Sequence, residues 1–375
     1  MSSVIAINAG SSSVKVTLYE LSDSSESVSE VDNFVLNEEE ASGQDNLSSR
    51  LRQIADKHGV VAIGHRLVSG GPKYLHPVKV SKDLLDDLRS LEPYDPDHLP
   101  LSLKLIDLCA QTFEGVDQYA CFDSTFFLDM PKEAQILPLP QKYQEEGLRR
   151  YGFHGLSYTY LQNAFRDVAG EAAVNGRVIY AHLGSGASLA ATYLTKPIDT
   201  TMSFTPASGL VMSSRSGDLD PGIGWYLFKR YDVSPEQFNH MVNAESGLLG
   251  VSGLSADMKT LLEHEMSNQG AAEAVSLFCY RTAQAIGALS TTIGGLDSLI
   301  FSGGIGEQSA ILRQRICDRL AFLGVKLDDS RNQTHEERIS ADESSVGVHM
   351  LHTDEAYSIA SQVALMLNDR EADHE

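Results

Sequence analysis

The chain has 375 residues, long for one hydrophobic core and the length of two or three domains. It carries 29 basic against 51 acidic residues, a formal net charge of −22, which argues against a general nucleic-acid or membrane-surface binder. No apolar run approaches the roughly 20 residues that span a bilayer, and no basic stretch precedes a long apolar one at the start, so a cytoplasmic location is expected. Cys109, Cys121, Cys279 and Cys317 form no C-x-x-C pair and read as buried free thiols rather than a disulfide framework or zinc site.

The apolar run Val4 to Ile7 predicts a strand, Asn8 to Ser13 a tight turn, and the alternation of Val14, Val16 and Leu18 a second strand. Gly10, three serines and Lys15 make that turn a cradle for phosphate, with an ordinary Gly/Ser hairpin as the alternative. The acidic, serine-rich stretch Ser22 to Glu40 reads as a solvated loop holding a short edge strand at Phe34 to Leu36. Leu47, Leu51 and Ile54 lie at helical spacing, and Val60 to Ile63 is a buried strand. It runs into Gly64-His65-Arg66-Leu67-Val68-Ser69-Gly70-Gly71, where Arg66 is an anion clamp or a surface salt bridge. Ser81 caps a helix carrying Leu84, Leu88 and Leu91; Pro93 to Pro100 is a loop; Leu101, Leu105 and Leu108 mark a further helix. Tyr119 to Phe122 is a strand, with Asp123 at its end as a metal ligand, an orienter of arginine or a cap.

The proline-containing stretch Met130 to Gly147 reads as a crossing between lobes. It leads into Arg149-Arg150-Tyr151-Gly152-Phe153-His154-Gly155, and Ser157 is expected to cap a helix bearing Leu161, Phe165 and Val168. The opening pattern then returns: strand Val178 to Ala181, glycine turn His182-Leu183-Gly184-Ser185-Gly186, strand Ala187 to Tyr193, which points to an internal duplication. Arg215 stands in a polar glycine loop, Ser246 to Ser255 reads as another loop, and Ala271 to Ile293 as a long helix. Strand Ser298 to Ser302, the turn Gly303-Gly304-Ile305-Gly306-Glu307 and a helix through Ile311, Leu312, Arg315 and Ile316 have the geometry that receives a phosphate. The turn fits neither the Walker nor the dinucleotide glycine pattern. His352-Thr353-Asp354-Glu355 precedes a closing helix with Ile359, Val363 and Met366 on one face.

Eight segments, in order, carry a resemblance: Asn8-Ala9-Gly10-Ser11-Ser12-Ser13-Val14-Lys15, Gly64-His65-Arg66, Phe122-Asp123, Arg150 to Gly155, His182-Leu183-Gly184, Arg215-Ser216-Gly217-Asp218, Ser246-Gly247-Leu248-Leu249-Gly250 and Gly304-Ile305-Gly306-Glu307. With these the chain resembles the acetate kinase family of the actin, Hsp70 and sugar-kinase superfold. The resemblance implies a two-lobed α/β fold, a duplicated ribonuclease-H-like unit with an interdomain cleft. Residues 1–126, with 358–375 returning, would form the N-terminal lobe and 127–357 the nucleotide-binding lobe. It implies reversible phosphorylation of a short-chain carboxylate, acetate foremost, by ATP, with ADP as the product. Mg²⁺, or Mn²⁺ in its place, a homodimer, and no nucleic-acid or membrane partner belong to the same expectation.

By the same resemblance Asp123, His154 and Arg215 are catalytic, and Asn8 and Glu355 stand beside the metal. Arg66, Val68, Asp97, Phe153 and Pro206 bind the carboxylate substrate. Lys15, Ser11 and Ser13, His182 to Gly186 (with Leu183, Gly184 and Ser185), Asp257, Met258 and Lys259, and Gly304, Ile305, Gly306, Glu307 and Gln308 bind the nucleotide. The chain departs from the family at Ser69, Ser185, Asp354, the segment His98 to Ser102, and Asp97, which replaces an apolar pocket residue and leaves the preferred acid open. A propionate or hydroxy-acid kinase is the near alternative. A non-catalytic nucleotide-dependent binding protein of the same superfold is the alternative from another class.

Overall fold

The computed structural model describes residues 2–10, 13–22, 28–37, 44–92 and 99–372. The chain divides into two compact units: Met1–Leu128 with His154–Tyr160 and Asp354–Glu375, and Asp129–Phe153 with Leu161–Thr353.

The first unit is built on strands β1 (Ser2–Ala9), β2 (Ser13–Leu21), β3 (Val28–Asn37), β4 (Gly59–Leu67), β5 (Val78–Lys79) and β6 (Asp117–Phe122). They lie in the order β3-β2-β1-β4-β6-β5, with β1, β4 and β6 parallel and the β1–β2 and β2–β3 pairs antiparallel. β1 is a continuous apolar run because both of its faces are covered. Ile5 and Ile7 pack with Leu47, Leu51, Leu105 and Leu108 from the helices Gln44–Lys57 and Leu99–Thr112. Val4 and Ala6 pack with Ile359, Ala360 and Val363 from the helix Glu355–Ala372. β3 extends well beyond the expected Phe34 to Leu36. As an edge strand it exposes most of its residues, so hydrophobicity marks only Val28, Phe34 and Leu36.

The second unit repeats the plan with β7 (Val178–Leu183), β8 (Ala187–Tyr193), β9 (Lys196–Thr200), β10 (Ser298–Ser302) and β11 (Gly347–Met350). Their order is β11-β10-β7-β8-β9, again with a central antiparallel hairpin and two parallel neighbours. With the two-residue edge strand β5 set aside, both sheets run 3-2-1-4-5 when the strands of each unit are numbered in chain order. The duplication expected from the two glycine hairpins is therefore a duplication of whole sheets. The helix Gln269–Thr292 packs on β7, β8 and β9.

Several local expectations change. Ser246 to Ser255 contains a helix, Gly247–Ser252, too short for a readable apolar period. Helices Gly222–Tyr231 and Pro235–Ala244 were not anticipated, although Ser234 and Gln237 form a capping box that the sequence Ser-Pro-Glu-Gln spells out. Val168 and Ile311, named among the residues of their helices, are exposed. In the helix Ala310–Asp318 the buried positions are Ala310, Leu312, Arg313, Ile316 and Cys317.

Two histidines are folded in as neutral groups. His65 on β4 is buried, with Nε2 2.6 Å from Gln118 Oε1, and burial pushes its pKa down to about 4. His349 on β11 is likewise lowered to about 4 by burial, with Arg338 adding to the effect. A histidine whose folded pKa lies below its unfolded value contributes stability present above about pH 6.5 and lost as pH falls toward 4. Asp123, raised by burial, works in the opposite sense over the acid range. We therefore expect each of these histidines to remove about 2 kcal/mol of folding stability between pH 7 and pH 5. Urea unfolding at the two pH values should show this loss shrink by about that amount in His65→Asn; an unchanged pH difference would exclude His65 as the source.

Candidate active site

In the first unit three parallel strands end together, where open α/β sheets place ligand contacts. β1 ends at Asn8 and Ala9, β4 brings Arg66, and Asp123 follows β6 as the first residue of a 3₁₀ turn, Asp123–Phe127. Arg66 Nη2 donates to Asp123 Oδ2 at 2.7 Å, and Nε lies 3.2 and 3.3 Å from the two carboxylate oxygens. Arg66 Nη1 reaches Asn8 Oδ1 at 3.2 Å and stands 3.5 Å from Glu355 Oε2. Asn8 Nδ2 in turn donates to Glu355 Oε2 at 2.8 Å. The side chain of Asp123 is 1% exposed, and burial raises its pKa; Arg66 lowers it and Glu355 raises it again. The backbone N–H of His154 also bonds to this carboxylate.

Backbone constraints hold the arrangement. His154 is buried with φ +60°, an unusual conformation for a residue with a side chain. A Cβ on Gly155 would lie 2.0 Å from the Asp123 carbonyl oxygen, so only glycine fits there. A Cβ on Gly64 would lie 2.4 Å from Ile359 Cγ2, so this glycine lets the helix Glu355–Ala372 settle on β4. Asp354 Oδ1 accepts the Tyr357 N–H at 3.1 Å, and Oδ2 accepts from Tyr19 Oη at 3.2 Å, which fixes the start of the helix carrying Glu355. Lys15 lies directly across the hairpin from Asn8 and so shares its face. The Gly10 N–H closes the turn on Ser13 O at 2.9 Å. Val68 is buried just beyond β4. Ser11 and Asp97 lie outside the described residues.

The residues placed beside a metal suit Mg²⁺. Asn8 and Glu355 offer hard oxygen donors, and among the described residues no three His, Cys, Asp or Glu side chains gather to hold an ion. Mg²⁺ keeps several waters and is commonly held by one or two carboxylates together with substrate phosphates.

In the second unit the turn His182–Gly186 lies against the turn after β10. A Cβ on Gly303, at φ +75°, would be 2.7 Å from Leu183 O, and one on Gly184 would be 3.9 Å from Gly304 N. Glu307 Oε1 accepts from the Gly303 N–H at 2.9 Å and Ser302 Oγ at 3.2 Å, while Oε2 is 2.7 Å from His352 Nδ1. Its carboxylate thus braces the turn from within. The Ser213 N–H donates to Ser185 O at 3.1 Å, which ties the Arg215 loop to the first turn. Arg215 Nη1 donates to Pro206 O at 3.3 Å. The backbone of Gly247, at φ +61°, passes so close to Met212 O and Arg215 O that a Cβ would collide with both. Phe153 is buried, with the preceding Tyr151 and Gly152 N–H groups donating to Ser203 O. Asp257 caps the helix Met258–His264 through the Thr260 N–H at 2.8 Å; Met258 is buried and Lys259 exposed.

Three roles escaped the sequence. Ser157 is not a cap: it sits inside the helix Gly155–Ala169, fully buried, and its hydroxyl donates to Glu355 Oε1 at 2.5 Å. Arg313, not Arg315, supports the glycine turn. It is fully buried, donates to the carbonyls of Gly306 and Glu307 at 2.8 and 2.7 Å, and burial lowers its pKa to about 10. Arg315 pairs with Glu265 instead. Arg150, one of the cations that drew notice before His154, pairs with Asp199 at 2.8 Å. No local motif distinguishes these partners: those of Ser157 and Arg150 are 198 and 49 residues away, and the approach of Arg313 to the turn before its own helix depends on its burial.

Residues 3–361 match the model of the acetokinase family. An acetate kinase from Rhodopseudomonas palustris (strain TIE-1) is 43% identical over 309 residues, 82% of this chain and 77% of that protein. One from Rickettsia akari is 36% identical over 97% of this chain and 99% of its own. Among solved structures, Porphyromonas gingivalis acetate kinase superposes with a TM-score of 0.83 at 31% identity, covering 98% of this chain and 100% of that one. A propionate kinase from Francisella tularensis gives 0.86 at 31% identity, covering 96% and 99%. The fold is that of the actin-like ATPases, as the two sheets foretell.

The two kinds of glycine should separate in measurement. Gly155→Ala forces the Asp123 backbone to move and should lower stability by about 1–3 kcal/mol in urea unfolding. Gly287→Ala, in open space within the helix Gln269–Thr292, should be neutral or stabilising by up to about 1 kcal/mol. Equal effects would show that contact with Asp123 is not what requires Gly155.

Proposed function

This chain belongs to the acetokinase family, and on that premise we propose that it transfers the γ-phosphoryl group of ATP to acetate, reversibly and in line, giving acetyl phosphate and ADP. It is a phosphotransferase with a carboxyl group as acceptor, which overturns the non-catalytic alternative. The observation that carries the reading is the Arg66 guanidinium, fixed on Asp123 and flanked by Asn8 and Glu355.

Arg66 binds the acceptor carboxylate, and Val68, Phe153 and Pro206 are the residues that the family resemblance assigns to its alkyl end. A carboxylic acid is already ionised at pH 7, so its attack needs no general base, and Asp123 serves to orient Arg66. Transfer spreads negative charge over the phosphoryl oxygens, and positioned cations lower the barrier. Arg215 and His154 meet that charge, and Lys15 meets the nucleotide phosphates. The turns His182–Gly186 and Gly304–Gln308, with Asp257 to Lys259, hold the nucleotide. Asn8 and Glu355 would hold Mg²⁺, which would supply positive charge against the phosphates. The propionate kinase among the structural relatives, and Asp97 in the sequence, keep propionate and hydroxy acids as competing acceptors.

The same reading includes a homodimer in the cytoplasm. Leu219, Ile223, Trp225, Tyr226 and Tyr231 are large apolar side chains exposed on and beside the helix Gly222–Tyr231, next to a depression of about 560 Å³ lined by Trp225, Phe228 and Phe238. Such a face suits a second copy of the chain. All four cysteines are buried free thiols, as a reducing compartment allows, and among the described residues no helix is long and apolar enough to cross a membrane.

ATP with hydroxylamine should yield a hydroxamate from acetate, and the kcat/KM ranking of acetate, propionate, butyrate and glycolate identifies the preferred acid. No hydroxamate with any of them would end the proposal. Arg66→Ala and Arg215→Ala should each lower kcat/KM at least roughly a hundredfold, about 2.7 kcal/mol, and near-parental kinetics would remove that residue from the mechanism. Sedimentation should show a dimer that Trp225→Arg weakens; a parent that stays monomeric at micromolar concentration would refute the interface.

A further inference from the structure

Ser157 occupies a position where serine usually bonds back to its own helix. Its hydroxyl instead donates to Glu355 Oε1 at 2.5 Å, a partner 198 residues away in the chain. The other oxygen of Glu355 accepts from Asn8 and stands 3.5 Å from Arg66 Nη1. The same helix start supplies the His154 N–H to Asp123. One turn of chain therefore holds both carboxylates that flank Arg66, each through an uncharged donor.

The chemistry of the donor matters. A cation at this position would neutralise Glu355, and an apolar residue would remove the hydroxyl that this partly buried carboxylate accepts from. Serine binds Glu355 while leaving its full charge. Without that bond the carboxylate is free to turn further toward the Arg66 guanidinium, already within ion-pair distance of Oε2.

We propose that Ser157 is a positioning residue for the reaction: its hydroxyl holds Oε1 of Glu355, keeps the carboxylate turned toward Asn8 in its metal-side place, and limits its approach to Arg66 to the 3.5 Å contact of Oε2, so that the guanidinium is kept for the acceptor carboxylate. This rests on the roles proposed above for Glu355 and Arg66. Outer partners of metal-side ligands commonly govern metal affinity by ten- to a hundredfold.

Ser157→Ala should raise both the KM for the carboxylate and the Mg²⁺ concentration for half-maximal rate about tenfold, with kcat reduced less than about threefold. Mn²⁺ binding in the presence of ADP, followed by electron paramagnetic resonance without turnover, should weaken about tenfold as well. Ser157→Thr restores a hydroxyl and should recover both quantities. If the alanine variant fails to fold by circular dichroism, Ser157→Cys, similar in size and a weaker donor, provides the same comparison. Glu355→Gln separates the two readings: if it leaves Mn²⁺ binding unchanged, the metal-side role of Glu355 falls and this inference falls with it. If Glu355→Gln weakens Mn²⁺ binding but Ser157→Ala does not, only the inference about Ser157 is overturned. Adding Ser157→Ala to Glu355→Gln should cost less than about a further twofold. A full tenfold additional loss would mark Ser157 as a packing residue and overturn its positioning role.

Discussion

The first unit is organised around a buried guanidinium shared by two carboxylates. Arg66 is charged at any ordinary pH, and a largely buried ion is tolerated only when its donors are met. Asp123 meets Nε and Nη2, and Asn8 meets Nη1 with Glu355 close by. These partners come from the ends of three parallel strands and the start of the last helix, so satisfying one side chain requires the register of the whole sheet to be right. A misplaced strand would leave Asp123, already destabilised by burial, without its compensating charge.

That requirement explains where the chain accepts only glycine. Gly64 has no room for a side chain because Ile359 and Val363 pack on it, and this approach brings Glu355 within reach of Asn8. Gly155 has none because the Asp123 carbonyl occupies the space, and this approach brings the His154 N–H to the carboxylate. In the second unit Gly303 and Gly247 act similarly, bringing the glycine turns and the Arg215 loop against neighbouring carbonyls. The same chemistry, close main-chain approach that a Cβ would prevent, sets the functional geometry of both units.

The two units also show how one plan diverges under different local demands. Each has a strand-turn-strand hairpin at the centre of a sheet that, apart from the edge strand β5 of the first unit, runs 3-2-1-4-5. In the first, the hairpin faces the ionic cluster and Lys15 shares the face of Asn8. In the second, the hairpin turn rests on a glycine turn braced internally by Glu307 and from below by Arg313. Arg313 has no carboxylate among its described hydrogen-bond partners; carbonyl and amide oxygens of Gly306, Glu307 and Asn332 satisfy it.

What the sequence determined by itself is whatever depends on near neighbours. Apolar runs bounded by glycine turns located β1, β2, β4, β6, β7, β8 and β10, and the hairpin echo disclosed the duplication, because strand and turn preferences act over a few residues. The motifs also singled out Asn8, Arg66, Asp123, His154 and Arg215 as candidates, through the family resemblance that they carry. Short or exposed elements such as β5, β9, β11 and Gly247–Ser252 escaped, since a few residues carry too little apolar periodicity to stand out. Only the tertiary structure decided which side chain serves which partner. Ser157 looks like a cap in sequence and is a donor to Glu355 in the fold. Arg313 is buried beneath the turn, while Arg315 on the same helix pairs with Glu265. It is packing, not local preference, that brings such groups together.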